Sequence, residues 1–200
     1  MHPNPAFRMT GDALAFVAAQ GFGTLFVAAD GDLLAAHVPL LVVDGTVQFH
    51  LANSNAITAP LLAGVPALVS VCTAGHYVSA NWYPDAAGNV PTWNYSAVEL
   101  AGRATAMDLA GLEALLNRAS ATFEPRVGED WQMAKMERRR AEAMMRAITG
   151  FALRPDQIRA THKHSQNRSD SDAQSVAAGM ERRGDVAGAA MIRAARSTEG

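Results

Sequence analysis

Residues 76 to 96, HYVSANWYPDAAGNVPTWNYS, hold two of the three tryptophans, Trp82 and Trp93, and all three tyrosines, Tyr77, Tyr83 and Tyr95. Between them stand Ser79, Asn81, Thr92 and Asn94. Aromatic faces beside hydrogen-bonding tips suit a planar ligand with a polar rim, or a subunit seam. The plainer reading of the same residues is an aromatic cluster that closes a β core. His76, His162 and His164 have spacings that could suit a metal, but His162 and His164 share a face only on a strand. A solvated polar tail or an anion contact is the simpler role for those two, and no metal is expected. Tyr77, Tyr83 and His76 could act as acids or nucleophiles, yet nothing in the spacing pairs any of them with a base.

Other signatures are missing. The chain has no Gly-x-Gly-x-x-Gly, no P-loop, no Gly-x-Ser-x-Gly and no paired cysteine ligands. Glu137-Arg138-Arg139-Arg140 resembles a DNA-facing run, but the interleaved Glu137 and Glu142 indicate a solvated face with short-range ion pairs. A formal charge of −2 supplies no global field toward nucleic acid or anionic lipid, so the charge pattern leaves direct DNA binding without support. The single cysteine, Cys72, lies in the apolar run LVSVC and reads as a buried thiol in a reducing compartment. The N-terminus MHPNPAFRMTGD lacks a basic head and apolar core, and no window reaches the roughly 18 to 20 apolar residues of a membrane span. A cytoplasmic protein with no membrane partner is expected.

The elements that must position these residues are short. Two hundred residues at 49% hydrophobic content suit one domain over residues 1–200. Its barrel core covers about 22–160 and a C-terminal helical extension about 171–196. Asp12 can cap a helix over 13–20, ended by Gly21. FGTLFVAA, LLAAHVPLLVV and TVQFHL then read as a three-stranded meander joined at Asp30-Gly31 and Asp44-Gly45. In the third strand Val47, Phe49 and Leu51 take one face, and His50 points away from the core. ANSNAITAPLLAG suggests a loop and then a helix capped by Asn53, Ser54 or Asn55, whose N–H groups could meet an anion.

ALVSVCTAG, HYVSANWYP and WNYSAVELAGRATAMD follow as strands, with Gly102 at a bulge or bend. Helices are expected over 109–123 and 132–148, with a late strand at 151–153 and two short helices parted at Gly184. That helical pair has helix-turn-helix proportions, but Arg182 and Arg183 are its only basic residues near the turn. The last few residues read as disordered. Six or so strands with hairpin turns indicate a small antiparallel barrel in an α+β chain, mainly β with flanking helices.

Several segments in order resemble the FMN-binding negative transcriptional regulator family of the PaiB type, a branch of the FMN-binding split barrels. They are HVPLLV at 37–42, FHLANSNA at 49–56, GHYVSANWYP at 75–84, VPTWNYSAV at 90–98, GFALRPDQI at 150–158 and KHSQNRSDSD at 163–172. The family pattern often has Leu before SQNR, and Pro where this chain has Ala80 or Asn81. The resemblance implies a six-stranded antiparallel split barrel that forms a homodimer and binds FMN at the seam. Within it, Trp82, Trp93 and Tyr95 could wall the flavin ring, and Asn53, Asn94 and Gln166 could meet its edge. His37, His50, Asn55 and Arg168 are the phosphate candidates. Regulation of gene expression is the implied role. The alternatives are a flavin-dependent oxidoreductase of a small substrate, and a barrel without flavin that handles haem or binds a partner.

Overall fold

The computed structural model describes residues 1–197, so the residues read as disordered at the very end lie partly outside the described chain. It falls into two compact units. The first comprises 1–11, 72–98 and 159 onward, and the second 12–71 and 99–158. Eight strands, β1 (Phe22–Ala29), β2 (Asp32–Pro39), β3 (Leu41–Val43), β4 (Thr46–Ala52), β5 (Ala67–Cys72), β6 (His76–Val78), β7 (Thr92–Ala106) and β8 (Ile148–Lys163), form a curled antiparallel sheet in the order β2-β1-β5-β7-β8-β4-β3, with β6 paired to β7. Flanking helices complete an α+β split barrel.

In the second unit, Asp12 caps α1 (Ala13–Gln20) by accepting the N–H groups of Leu14 and Ala15, and Gly21 ends it at φ 67°. β1 (Phe22–Ala29) and β2 (Asp32–Pro39) pair from Phe22 opposite Pro39 to Ala29 opposite Asp32. The loop is Asp30-Gly31, both at positive φ, which matches the right-handed twist of a two-residue hairpin. Asp44-Gly45 makes the same turn between β3 (Leu41–Val43) and β4 (Thr46–Ala52). The expected meander is therefore corrected. LLAAHVPLLVV breaks at Leu40, and β3 departs with β4 to the other end of the sheet order. The break at Leu40, which makes β3 a separate strand, and the late strand expected at 151–153 account for eight strands where six were counted. β2 and β4 nonetheless come close, which curls the sheet.

β4 buries Val47, Phe49 and Leu51 and leaves Thr46, Gln48 and His50 half-buried on its other face. Phe49 stacks on Phe151 of β8 (Ile148–Lys163) at 5.7 Å between ring centroids. The late strand is sixteen residues long, far beyond the expected three. Gly102 of β7 (Thr92–Ala106) is buried, and a Cβ there would stand 2.7 Å from the Arg154 carbonyl. Only a glycine permits that backbone approach.

α2 (Thr58–Leu62) has five residues and no side-chain cap. α3 (Leu109–Phe123) matches its expected bounds and buries Leu112 and Leu115. The helix expected over 132–148 shrinks to α4 (Arg138–Met145), because Glu137 accepts the N–H groups of Arg139 and Arg140 and so fixes the start. Arg138 pairs with Glu142 at 3.0 Å on an exposed face, as the alternating charges implied.

β5 (Ala67–Cys72) turns Ala67, Val69 and Val71 inward. Strand alternation therefore sends Cys72 outward, and it is exposed rather than buried. In the first unit, HYVSANWYP is not one strand: β6 (His76–Val78) gives way to a 3-10 turn over Ala80–Trp82, begun by Ser79. α5 (Asp170–Arg182) and α6 (Val186–Ser197) are parted at Gly184, at φ 81°. They bury Val176, Met180 and Ile192 with Val78 and Tyr83, so the helical pair serves as core. Among the described residues no helix is long and apolar enough to cross a membrane.

Candidate functional site

A cleft of about 260 Å³ opens in the first unit, lined among others by Tyr83, Thr92, Asn94, Lys163, Ser165 and Arg168. β7 delivers Asn94 to its wall, and the turn after β8 delivers Ser165 and Arg168. That turn is shaped by Ser165 at φ 63° and by the Gln166 side chain, whose oxygen accepts the His164 N–H at 2.7 Å and whose amide donates to the His162 carbonyl. Asn94 is buried and donates to Ser165 Oγ at 3.1 Å.

Among the described residues the two cations of the cleft have no acid paired with them. Lys163 Nζ donates to Thr92 Oγ1 and to the Trp93 carbonyl. The Arg168 guanidinium lies over the Tyr83 ring at 5.0 Å. Neither makes an ion pair among the described residues. Burial and the neighbouring Arg168 charge together push the Lys163 ammonium below its usual range. An unpaired cation couple with hydroxyl and amide donors is a setting that favours a phosphate-like anion.

Behind this cleft, in the same unit, lies a histidine network that the sequence did not disclose. Ser96 Oγ stands 2.9 Å from His162 Nδ1 and 2.8 Å from His164 Nε2. One hydroxyl has one proton to give, so one of the two rings must present an N–H to it. His164 is fully buried, its Nδ1 has no partner, and the rings lie 4.2 Å apart. Burial first, then the charges of His162 and His76, hold His164 down to about 4. His162 is lowered by burial. The solvated tail expected here is thus a half-buried ring, His162 near the end of β8, beside a fully buried one, His164, just past the strand's end at Lys163. His76 Nδ1 meets the Asp185 carboxylate at 2.8 Å, a pairing across 109 residues that no local spacing could reveal. Among the described residues no cluster of three or more His, Cys, Asp or Glu could hold a metal ion.

The remaining candidates are placed as follows. Trp93 exposes its ring, edge-on to Tyr77 at 5.6 Å, while Tyr95 is half-buried on the same strand. Trp82 packs on the helical pair, where a Cβ at Gly179 would stand 2.5 Å from its Cγ. In the second unit, His37 is exposed and its Nδ1 lies 3.0 Å from Thr24 Oγ1. Asn53 clamps β4 to β8, donating to the Arg146 carbonyl and accepting from Thr149, both at 2.8 Å. Asn55 accepts the Ile57 N–H at 3.0 Å, so its oxygen closes a local turn ahead of the short α2. His50 lines an apolar pocket with no cation on its wall. The structure thus brings Asn94 and Arg168 to one cleft and adds Lys163, Ser165 and Tyr83. Lys163 stood inside the KHSQNRSDSD segment, and its charge was the signal that could have found it.

The fold is that of a split barrel. The family described as "Putative FMN-binding domain" matches residues 1–157, and the chain belongs to that family. FMN is its cofactor. The protease synthase and sporulation protein PAI 2 of Bacillus subtilis (strain 168) is 29% identical over 165 residues, 80% of this chain and 79% of the relative. The resemblance to the PaiB type therefore holds. Among solved structures, the FAD and heme binding protein of Mycobacterium smegmatis superposes with a TM-score of 0.60 at 19% identity. That match covers 83% of this chain and 76% of that one. A flavocytochrome of Azotobacter vinelandii superposes at 0.62 with 13% identity, over 82% of this chain and 72% of that one. These two likenesses show the fold.

Proposed function

We propose that the protein is a homodimeric, cytoplasmic FMN-binding regulator of the PaiB type, with Lys163 and Arg168 holding the cofactor's phosphate. The carrying observation is the cation pair that faces the cleft without a carboxylate. Asn94 and Ser165 add donors beside it, and the open face of Trp93 offers an apolar wall to the flavin ring. Gln166 shapes the turn that aims Arg168. Bound FMN would supply one- and two-electron redox chemistry. The chain's own part is to grip the anion and orient the ring.

The cleft's 260 Å³ falls below the roughly 300–1,000 Å³ of sites that enclose a ligand this large. A second copy closing over the flavin completes the site in this reading. Regulation by altering a metabolite or a partner suits the chain better than a grip on DNA, since Arg138 of its basic helix is paired with Glu142 and the net charge is −2.

The test is FMN titration followed by flavin fluorescence quenching, on the wild type and on Arg168→Ala. Affinity should fall about tenfold, the scale of one charged hydrogen bond, with thermal stability little changed. Unchanged affinity removes Arg168 from the site. Gel filtration that shows a monomer binding flavin tightly overturns the dimer. Oxidation of a reduced nicotinamide by protein with FMN moves the assignment to a flavin-dependent oxidoreductase.

A further inference from the structure

The second unit contains an opening of a different kind. A cavity of about 350 Å³ is lined by Trp131, Met133, Met136, Met144 and Met145, with His50 as its polar feature alongside Ser120. Among the described residues no Lys, Arg, Asp or Glu lines its wall. Ser120 Oγ donates to the Leu116 carbonyl at 3.2 Å, which uses its proton within α3. The His50 side chain makes no hydrogen bond to any described residue, and burial lowers its basicity, so it presents a neutral ring with one donor and one acceptor nitrogen. Trp131 and Met144 stay 40% and 54% exposed at the pocket, uncovered by any element of the described chain.

We propose that this pocket binds a neutral aromatic small molecule, gripped by the Trp131 indole and the methionine thioethers and hydrogen-bonded to His50. Charge complementarity decides the class: an uncharged lining repels neither face of a neutral ring, and would strip water from an ion without compensating it. Thioethers are flexible, polarizable partners for aromatic rings of varied outline. The same sulfur and imidazole set could attract a cuprous ion. A 350 Å³ space, however, lies within the range of organic ligand sites and is far larger than one ion fills. The inference does not rest on the flavin reading, because every residue it uses lies in the second unit.

The probe is N-phenyl-1-naphthylamine, a neutral fluorophore that brightens in apolar surroundings, titrated into the full chain with and without FMN. One saturable site per chain is expected in both states. Met144→Glu, a change at an exposed position, should weaken it about tenfold by placing a charge at the mouth. Trp131→Phe should keep the binding and lose most of the energy transfer from indole to probe, which separates this pocket from the surroundings of Trp82 and Trp93. The proposal is overturned if no saturable signal appears or if both variants behave as wild type. It is equally overturned if the probe binds only on dilution to monomers, since a second copy would then fill the pocket, or if cuprous ion displaces the probe at one equivalent.

Discussion

Two openings of this chain, the cleft of the first unit and the Trp131 pocket of the second, differ in what they leave uncompensated. The cleft of the first unit keeps two cations without an acid, whereas the pocket of the second keeps apolar surface and a neutral imidazole without a cover. Each residual imbalance specifies the opposite kind of ligand: an anion for the first, an uncharged ring for the second. The difference also separates two histidines that sequence alone would treat alike. His164 is locked inside a network, and His50 is left free to meet a ligand.

The largest effect expected comes from crossing the two openings. Replacing Lys163 and Arg168 together by Gln should lower FMN affinity about a hundredfold or more, at ~1.5–3 kcal/mol for each charged hydrogen bond lost. The naphthylamine site should be untouched, and Met144→Glu should show the reverse pattern. Parallel fluorescence titrations would decide it. If either variant weakened both ligands equally, the two openings would be one site and the contrast would fail.

Acid sharpens the comparison on the stability side. Unfolded, His164 would take up a proton near 6.5, while in the fold its burial and the neighbouring rings hold it near 4. The unfolded state therefore binds more protons between those values, and stability falls as pH falls from 6.5 toward 4. The full span corresponds to about 3 kcal/mol for this ring. Urea midpoints at pH 7.0 and pH 4.5 would check it, and His164→Gln should flatten the difference. A profile unchanged by that substitution would show that the buried network does not govern acid sensitivity.

Packing comes next. Gly179→Ala would drive a methyl into Trp82, 2.5 Å from its Cγ, and should destabilise the first unit by about 1–3 kcal/mol. Near-ultraviolet circular dichroism of Trp82 with thermal melting would show it. Probe binding in the second unit should survive at temperatures where FMN binding is lost.

What could be read without a structure was what is encoded locally. Two Asp-Gly turns, the Asp12 cap, the stripe of α3 and the break at Gly184 all depend on residues within a few positions of one another. The break at Leu40 was hidden because LLAAHVPLLVV reads as one nearly continuous apolar run, and β3 is drawn away by its pairing with β4. Cys72 was misjudged because apolar neighbours were counted without assigning them to faces. The family resemblance led to the 163–172 segment and so to the cleft, yet local motifs could not show which side chains in it were already occupied. Asn55 and Gln166 close their own turns, and Asn53 joins two strands. The His76–Asp185 pair and the Ser96 bridge were invisible because their members are 109 and at least 66 residues apart.

The smallest effect tests how that distant pair works. Asp185 has two tasks: it accepts the Gly188 N–H at 2.9 Å, which caps α6, and it meets His76 at 2.8 Å. Burial alone would raise its carboxyl, but the Gly188 N–H and His76 outweigh that and hold it below its ordinary value. Asp185→Asn keeps an oxygen for the cap and removes the charge. Because the carboxylate is about one-third exposed, solvent weakens the pair, and the loss should be only about 0.5 kcal/mol. Asp185→Ala removes the cap as well and should cost about 1 kcal/mol more. Chemical denaturation of both variants separates the two tasks. Equal losses would mean that the contact with His76, and not the helix start, is what Asp185 contributes.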